Sequence, residues 1–306
     1  MHDGYLPLAL HPGWVLERFW GWSVLHEEPS IRLLRRSMGP LIRYLLLAKE
    51  ASPGSIDDLA ARHRIFRPFA IVSLNDFSAT GDDAFRVVAG RTLERATGPR
   101  WFGVGTFVLD LDEDEAALHR RIAGKEWSRL RRPEETAFSC ELIERPTPKD
   151  LDEFRRLYEV LERERGLERF SAPLLERIAA AGCLMLARCR DGDGHTLVAN
   201  LIYRAHAQGY FFASARAAGT PAGASRLAHW ETARKLKREG CRFYDLGLVA
   251  SREPRDGIYR FKRSLGGTFV TSGTEFEWRS SIMRIVWNRA RAIRRKLGRL
   301  VRKHDR

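Results

Sequence analysis

Residues 183–204 read CLMLARCRDGDGHTLVANLIYR, and residues 210–223 read YFFASARAAGTPAG. The first stretch holds two strand-like runs, Cys183 to Arg190 and Thr196 to Arg204, joined by the turn Asp191, Gly192, Asp193, Gly194, a pattern that predicts an antiparallel hairpin. The second opens on a further strand at Tyr210 to Ala213. It passes through a loop, Gly219 to Gly223, into an amphipathic helix ending near Gly240. Arg242 to Leu246 then returns as a strand, and upstream Asp150 to Arg165 and Pro173 to Ala181 have helical periodicity. Helices, hairpin, strand, glycine-containing loop, helix and strand make an α+β order, not the regular βαβ repeat of a Rossmann sheet.

Working outward, Pro68 to Leu74 and Val104 to Leu111 read as strands, and Ser55 to His63 and Glu113 to Ala123 as short helices. The two alternating passages are separated near Arg145, Pro146, Thr147, Pro148, which predicts a first domain over 1–145 and a second over 146–280, with 281–306 as a tail.

The 306 residues suffice for two medium domains with cores of their own, and 44% hydrophobic content is ordinary for a soluble protein. The longest apolar runs, such as Tyr44 to Ala48, fall far short of the roughly 20 residues that cross a bilayer, so no segment should span a membrane. Met1, His2, Asp3 and Gly4 open a sequence with neither a positive n-region nor a long apolar run, and a cytoplasmic location is expected. Cys140, Cys183, Cys189 and Cys241 show no C-x-x-C pairing; reduced buried thiols are expected, without a structural metal. The net charge is +14, of which Ser281 to Arg306 carries +9, ten Lys and Arg against Asp305. A moderately charged body with a strongly basic tail is not a uniformly basic nucleic-acid binder.

From Pro221 to Gly267 the chain holds, in order, Gly223-Ala224-Ser225, His229-Trp230-Glu231, Gly240-Cys241-Arg242-Phe243-Tyr244-Asp245-Leu246-Gly247, and Gly257-Ile258-Tyr259-Arg260-Phe261-Lys262-Arg263-Ser264-Leu265-Gly266-Gly267. This set, the last block above all, resembles the Fem family of peptidoglycan interpeptide-bridge aminoacyltransferases and related GNAT-like acyltransferases of envelope polysaccharide systems. Earlier, Thr106 to Leu111 followed by Lys125, Arg129, Arg131 and Arg132 resembles the strand, helix and basic segment that close the family's first domain. The resemblance implies an α+β fold of two tandem GNAT-like acyltransferase domains, here followed by a basic amphipathic C-terminal helix. It also implies an enzyme that forms an amide by moving an aminoacyl or acyl group onto an amine. The basic segment lacks the Asn often seen in relatives, and no long charged helical hairpin is inserted.

Amide formation needs a deprotonated amine, an activated carbonyl, and stabilisation of the negative charge of the tetrahedral species. The resemblance places Lys262, after the aromatic Phe261, at the end of the donor or acceptor channel, where it would hold a phosphate or the developing oxyanion. The plainer readings are a solvated strand lysine and a core strand aromatic. Tyr259, Ser225, Lys125 and Arg131 carry over as substrate-binding residues. Gly219 and Gly223 precede a helix whose free N-terminal N–H groups suit a phosphate-bearing donor. GNAT enzymes using acyl-CoA usually show R/Q-x-x-G-x-G/A here, but Thr220 stands where the basic or amide residue is wanted, and starting from Arg216 puts Pro221 at a small-residue position. That departure favours a donor other than acetyl-CoA. Asp245 ends a strand, either to orient or deprotonate the amine or to cap the adjoining loop. His229 and Glu231 are weak candidates for a general base.

In the tail, Ile282, Val286, Ala290, Ile293, Leu297 and Leu300 recur three or four apart, and Arg291, Arg294, Arg295, Lys296 and Arg299 occupy the remaining surface. This predicts a basic amphipathic helix that lies on an anionic membrane surface, grips tRNA phosphates, or docks with its charges solvated. The expected function is that of a Fem-like aminoacyltransferase, with charged tRNA as donor and no bound cofactor, acting on a lipid-linked peptidoglycan precursor or similar envelope acceptor. It would work in the cytoplasm or peripherally at the inner face of the cell membrane. The rivals are an acyl-CoA-dependent N-acyltransferase of an amino sugar in polysaccharide biosynthesis, with a sugar-nucleotide acceptor, and a non-catalytic adaptor that binds membrane or RNA.

Overall fold

The computed structural model describes residues 5–10, 21–79, 83–97, 102–122, 138–165, 170–205 and 207–285. In chain order these form β1 (Ser23–Glu28), β2 (Ile31–Met38), β3 (Leu41–Ala48), α1 (Pro53–Arg62), β4 (Ala70–Asp76), β5 (Phe85–Val88), β6 (Arg91–Arg95), β7 (Gly105–Asp110) and α2 (Glu115–Arg121). There follow β8 (Phe138–Ile143), α3 (Pro148–Arg165), α4 (Ala172–Ala180), β9 (Leu184–Asp191), β10 (Thr196–Ala205) and β11 (Gln208–Arg216). The last are α5 (Ala222–Arg238), β12 (Phe243–Val249), α6 (Gly257–Ser264), β13 (Thr268–Thr271) and β14 (Thr274–Arg279). They divide between a smaller unit, Pro7–Trp101 with Ser272–Arg306, and a larger one, Met1–Leu6 with Phe102–Thr271.

The smaller unit is built on a sheet of order β1-β2-β3-β4-β14-β6-β5. Its helix α1 starts where Ser52 accepts a hydrogen bond from the Ser55 amide at 3.1 Å and Pro53 presets the first turn. Ile56, Leu59 and Ala60 of α1 then bury against Leu33, Leu46, Val72 and Leu74 of the sheet. Strands β3 and β4, which α1 connects, run parallel and stay paired from Ile42↔Ala70 to Ala48↔Asp76.

In the larger unit the sheet runs β13-β7-β12-β11-β10-β9-β8. One face packs on α5, with Phe107, Leu109, Ile202, Tyr244 and Leu246 in a core that includes Ala233 and Leu236. On the other face Phe212 meets Phe170, itself packed on Tyr158 and Phe154 of α3. Here the parallel pair that the helix connects, β11 and β12, is matched only at Gln208↔Phe243, Gly209↔Tyr244 and Tyr210↔Asp245. Beyond that level both strands carry a bulge. Against β10 the extra residue is Phe212, between Leu201↔Ala213 and Ile202↔Phe211. Against β7 the register slips between Asp245↔Val108 and Leu248↔Thr106. A bulge bends its strand and raises the local twist, so β11 and β12 part after Tyr210 and Asp245.

Both units therefore follow one plan: three antiparallel strands, a helical crossover to a parallel fourth, and an antiparallel strand beside it from elsewhere in the chain. The tandem GNAT-like arrangement implied by the resemblance is present. The strand beside β12 is β7, and the strand beside β4 is β14. The boundary predicted at 145/146 is accordingly displaced, because Val104 to Leu111, read as part of the first domain, is a strand of the larger unit's sheet. The chain changes unit at 6/7, at 101/102 and again at 271/272. A second correction concerns Phe261 and Lys262, read as strand residues. They lie on α6, whose start is fixed by Asp256 accepting from the Tyr259 amide at 2.8 Å. Aromatic and basic residues alternate over Tyr259 to Lys262 as they would in a strand, but buried Lys262 and half-buried Tyr259 lie three apart, on one helical face. Among the described residues no helix is long and apolar enough to cross a membrane.

Candidate functional site

Lys262 occupies the place where β11 and β12 part. Its side chain is 6% exposed, and Nζ donates to the carbonyl oxygen of Leu248 at 2.8 Å. The same Nζ stands 5.3 Å from the centre of the Phe211 ring, a cation–π contact with the strand across the gap. Burial pushes the Lys262 ammonium down to about 8, with Asp245 pulling the other way. An ammonium has three N–H donors, and Leu248 is the hydrogen-bond partner found among the described residues. At neutral pH the site is a mostly protonated cation in a low-dielectric setting with donor capacity to spare, the electrostatic requirement for holding a phosphate or oxyanion.

Gly247 makes room for that cation. Its φ is +81°, and a Cβ added there would lie 3.0 Å from the Phe211 ring and 3.1 Å from Lys262 Nζ. Only a residue without a side chain takes this conformation at this distance without strain.

Asp245, at the last matched level of β12, is buried. Its Oδ2 accepts from the Tyr5 hydroxyl at 2.5 Å, and its Oδ1 from the Gly247 amide at 2.7 Å and from the Thr106 hydroxyl. Burial pushes this carboxyl above its usual range, against the pull of those donors and of Lys262. Burial and the Asp245 carboxylate raise the Tyr5 phenol well above its ordinary value. Of the two readings open for Asp245, cap or base, the hydrogen bond to Gly247 two residues on is that of a loop cap.

His229, on α5, closes the floor. Its ring lies 4.8 Å from Phe211 and 5.7 Å from Phe261, and Nδ1 is 2.8 Å from the Tyr244 hydroxyl. Burial, then the nearby Lys262 cation, lower it to about 3, so the imidazole is neutral. Tyr259 packs on Phe107 at 5.3 Å between ring centres, and with Phe261 it lines the core side of α6. Both aromatics are half-buried.

Gly219 is exposed in the loop after β11, Gly223 is buried, and Ser225 is half-buried in the first turn of α5. No side chain caps this helix: its N-cap is Pro221, and the Thr220 hydroxyl is directed to the carbonyls of Leu197 and Ala217. The Ala224 amide donates to the Pro221 carbonyl at 3.1 Å, and the other N–H groups of the first turn have no side-chain cap among the described residues, so this end presents the positive end of the helix dipole. Lys125 and Arg131 lie outside the described residues, as do Arg291, Arg294, Arg295, Lys296 and Arg299 of the tail. Sequence reasoning brought Lys262, Asp245, Phe261 and Tyr259 to one place. It missed Tyr5, Thr106 and Phe211, for which spacing gives no signal, since Tyr5 is 240 residues from its partner.

Residues 117–263 match the family model described as the acetyltransferase (GNAT) domain, a span that holds β8 to β12 and Lys262. Among solved structures, FemX is similar over 85% of this chain and 89% of its own, at 12% identity and a TM-score of 0.62. L-PGS from Bacillus licheniformis is similar over 91% of this chain and 90% of its own, at 14% identity and a TM-score of 0.53. The C-terminal domain of a protein described as a lysylphosphatidylglycerol synthetase from Agrobacterium fabrum follows at 13% identity, 86% and 85% coverage and a TM-score of 0.53. At these identities the likeness is one of fold, and it extends over both units. No curated protein matches the sequence.

Proposed function

We propose that this GNAT-domain acyltransferase is a Fem-like aminoacyltransferase, taking an aminoacyl group from charged tRNA and joining it to an amine of a lipid-linked peptidoglycan precursor or similar envelope acceptor. The observation that carries the reading is the buried Lys262 ammonium between the parted strands β11 and β12, with Leu248 O as its hydrogen-bond partner. In the smaller unit the corresponding strands, β3 and β4, remain paired along their length. The chemistry is therefore assigned to the larger unit. The amine attacks the ester carbonyl of the donor, the carbonyl oxygen takes up negative charge, and the Lys262 ammonium stabilises that oxygen or an adjacent phosphate. Collapse of the tetrahedral species expels the ribose oxygen of the tRNA. The amine proton leaves to solvent or to a substrate group, because the Asp245 oxygens are taken up by Tyr5, Thr106 and Gly247 and burial lowers the His229 imidazole to about 3, too weak a base to take it. The whole-chain likeness to FemX and to two lysylphosphatidylglycerol synthetase structures supports an aminoacyl donor.

A second reading, an acyl-CoA-dependent N-acyltransferase of an amino sugar, is favoured by the uncapped start of α5 beside the Gly219 loop, a seat suited to a nucleotide phosphate. Mass spectrometry of an acceptor pool incubated with the purified protein and either charged tRNA or acyl-CoA separates the two. An aminoacyl mass increment that requires charged tRNA is the expected result. An increment that appears only with acyl-CoA establishes the second reading instead.

A further inference from the structure

We propose that Tyr5, Thr106 and Asp245 form a buried positioning relay that fixes Lys262 in its working place, so that the first residues of the chain complete the site in the larger unit. The proposal rests on the reading of Lys262 given above. The relay begins where the pairing of β11 and β12 ends. Tyr5 donates to Asp245 Oδ2 at 2.5 Å and sets its ring edge-on to Phe243, with ring centres 5.9 Å apart. The next residue is held as well: the Leu6 amide donates to Gln208 Oε1 at 3.3 Å, and the Tyr210 hydroxyl donates to the Leu6 carbonyl at 2.8 Å. Gln208 and Phe243 face each other in the first matched level, Tyr210 and Asp245 in the last. Residues 5 and 6 thus staple the zipped end of the two strands shut.

Asp245 passes this constraint on. Its Oδ1 accepts the Gly247 amide at 2.7 Å, and the Thr106 hydroxyl lies within reach of both Asp245 Oδ1 and, at 2.9 Å, the Gly247 carbonyl. The Gly247 peptide is held from both ends in its left-handed conformation, and the next carbonyl, Leu248 O, receives Lys262 Nζ. The acceptor that places the ammonium is therefore aimed by a turn that Asp245 and Thr106 impose. The relay is also electrostatic. Lys262 faces the Asp245 carboxylate from β12 and the neutral His229 from α5; Asp245 in turn faces Tyr5, Tyr210 and Tyr244 as well as Lys262. The Tyr5 hydroxyl favours the ionised form of Asp245, and that anion favours the protonated form of Lys262. Tyr5, Thr106 and Asp245 act through Lys262 and touch no substrate in this account.

The test is an NMR titration of full-length protein labelled at lysine Cε, with the Lys262 signal assigned by its loss in Lys262→Met. In the unaltered protein the Lys262 signal is expected to titrate near 8. In Tyr5→Phe, which deletes one hydroxyl and keeps the ring, and in Asp245→Asn, its midpoint moves to lower pH. Turnover falls about ten- to a hundredfold with KM changed much less, as expected when a catalytic group is misplaced. If Asp245→Asn does not fold, Tyr5→Phe decides alone. A Lys262 midpoint unchanged in a folded Tyr5→Phe overturns the relay. The titration needs no substrate, so a shift seen in a protein that turns over no aminoacyl donor upholds the relay and counts only against the proposed reaction.

Discussion

The Phe211 ring and Lys262 Nζ face each other at 5.3 Å across the gap between β11 and β12, with the hydrogen of Gly247 as the only Gly247 side-chain substituent between them. The cation is thus enclosed on one side by an aromatic face and held on another by the Leu248 carbonyl. An ammonium so placed is costly to bury and useful to a reaction that builds up negative charge.

Lys262→Met is expected to lower turnover by about a hundredfold or more, the scale for loss of one preorganised charge-stabilising donor. Lys262→Arg should recover only part, because a planar guanidinium does not reproduce a compact ammonium. The basic limb of the activity profile should fall near 8, where the cation is lost. Stability should move in the opposite sense to activity. The folded value lies below the unfolded 10.5, so the unfolded chain holds more protons between about 8 and 10.5, and stability rises with pH through that window. Lys262→Met lacks this rise and should be more stable at pH 7, by about 1–3 kcal/mol after the loss of the Leu248 hydrogen bond. Thermal melts at pH 7 and 10 check this. A lower Tm at pH 7 in the variant contradicts it.

Gly247→Ala should cost about 1–3 kcal/mol through its left-handed backbone alone. The added methyl would press on Phe211 and Lys262 Nζ, so activity should fall further than the melting curve implies. Comparing kcat with the unfolding midpoint in urea separates the two effects. Equal activity in a destabilised but folded variant would show that the gap tolerates a methyl group.

His229 gives a dependence of the same sign in a more acidic window. Its folded value of about 3 lies below the ordinary 6.5, so the unfolded chain binds the extra proton between those limits. Stability is therefore lost as pH falls from about 6.5 towards 3, by about 1.4 kcal/mol per pH unit for this one group. His229→Gln should flatten that part of the curve, measured by urea unfolding at pH 7, 6 and 5. A variant curve parallel to that of the unaltered protein rules out this origin.

The tail carries a prediction of its own, motivated by its +9 charge and its spaced apolar residues. Truncation after Ile285 spares the buried Met283 and should weaken binding to anionic vesicles, with salt weakening the full-length protein's binding as well. Unchanged vesicle binding with weaker affinity for charged tRNA assigns the tail to the donor. A lower melting temperature with neither binding changed makes it a docked helix.

The elements of the larger unit were legible because hydrophobic alternation and turn residues are local: the hairpin around Asp191 to Gly194 and the helix before Gly240 lie where the pattern puts them. Lys262 was legible through its block, but the helix that carries it was not, since eight residues rich in aromatic and basic side chains give little period to read. The first three strands went unread because Ile31 to Met38 and Leu41 to Ala48 mix arginines into apolar runs, without the alternation of a half-buried strand. Tyr5 and Thr106 were beyond reach for a different reason. Their roles depend on pairings over 240 and 139 residues, which no window of sequence contains.

The position of β14 bears on how the protein is made. It lies between β4 and β6, with Phe276 opposite both Leu74 and Arg95. Until residue 279 has left the ribosome, the sheet begun at Ser23 stays in two pieces, β1 to β4 and the hairpin β5–β6, with open edges facing each other. The sheet started first is thus finished last, after all seven strands of the other sheet have been synthesised. Exposed strand edges are templates for wrong pairing during that interval. Cutting the gene between codons 145 and 146 would yield one product without β14 and another without β7, so neither fragment would carry a whole sheet.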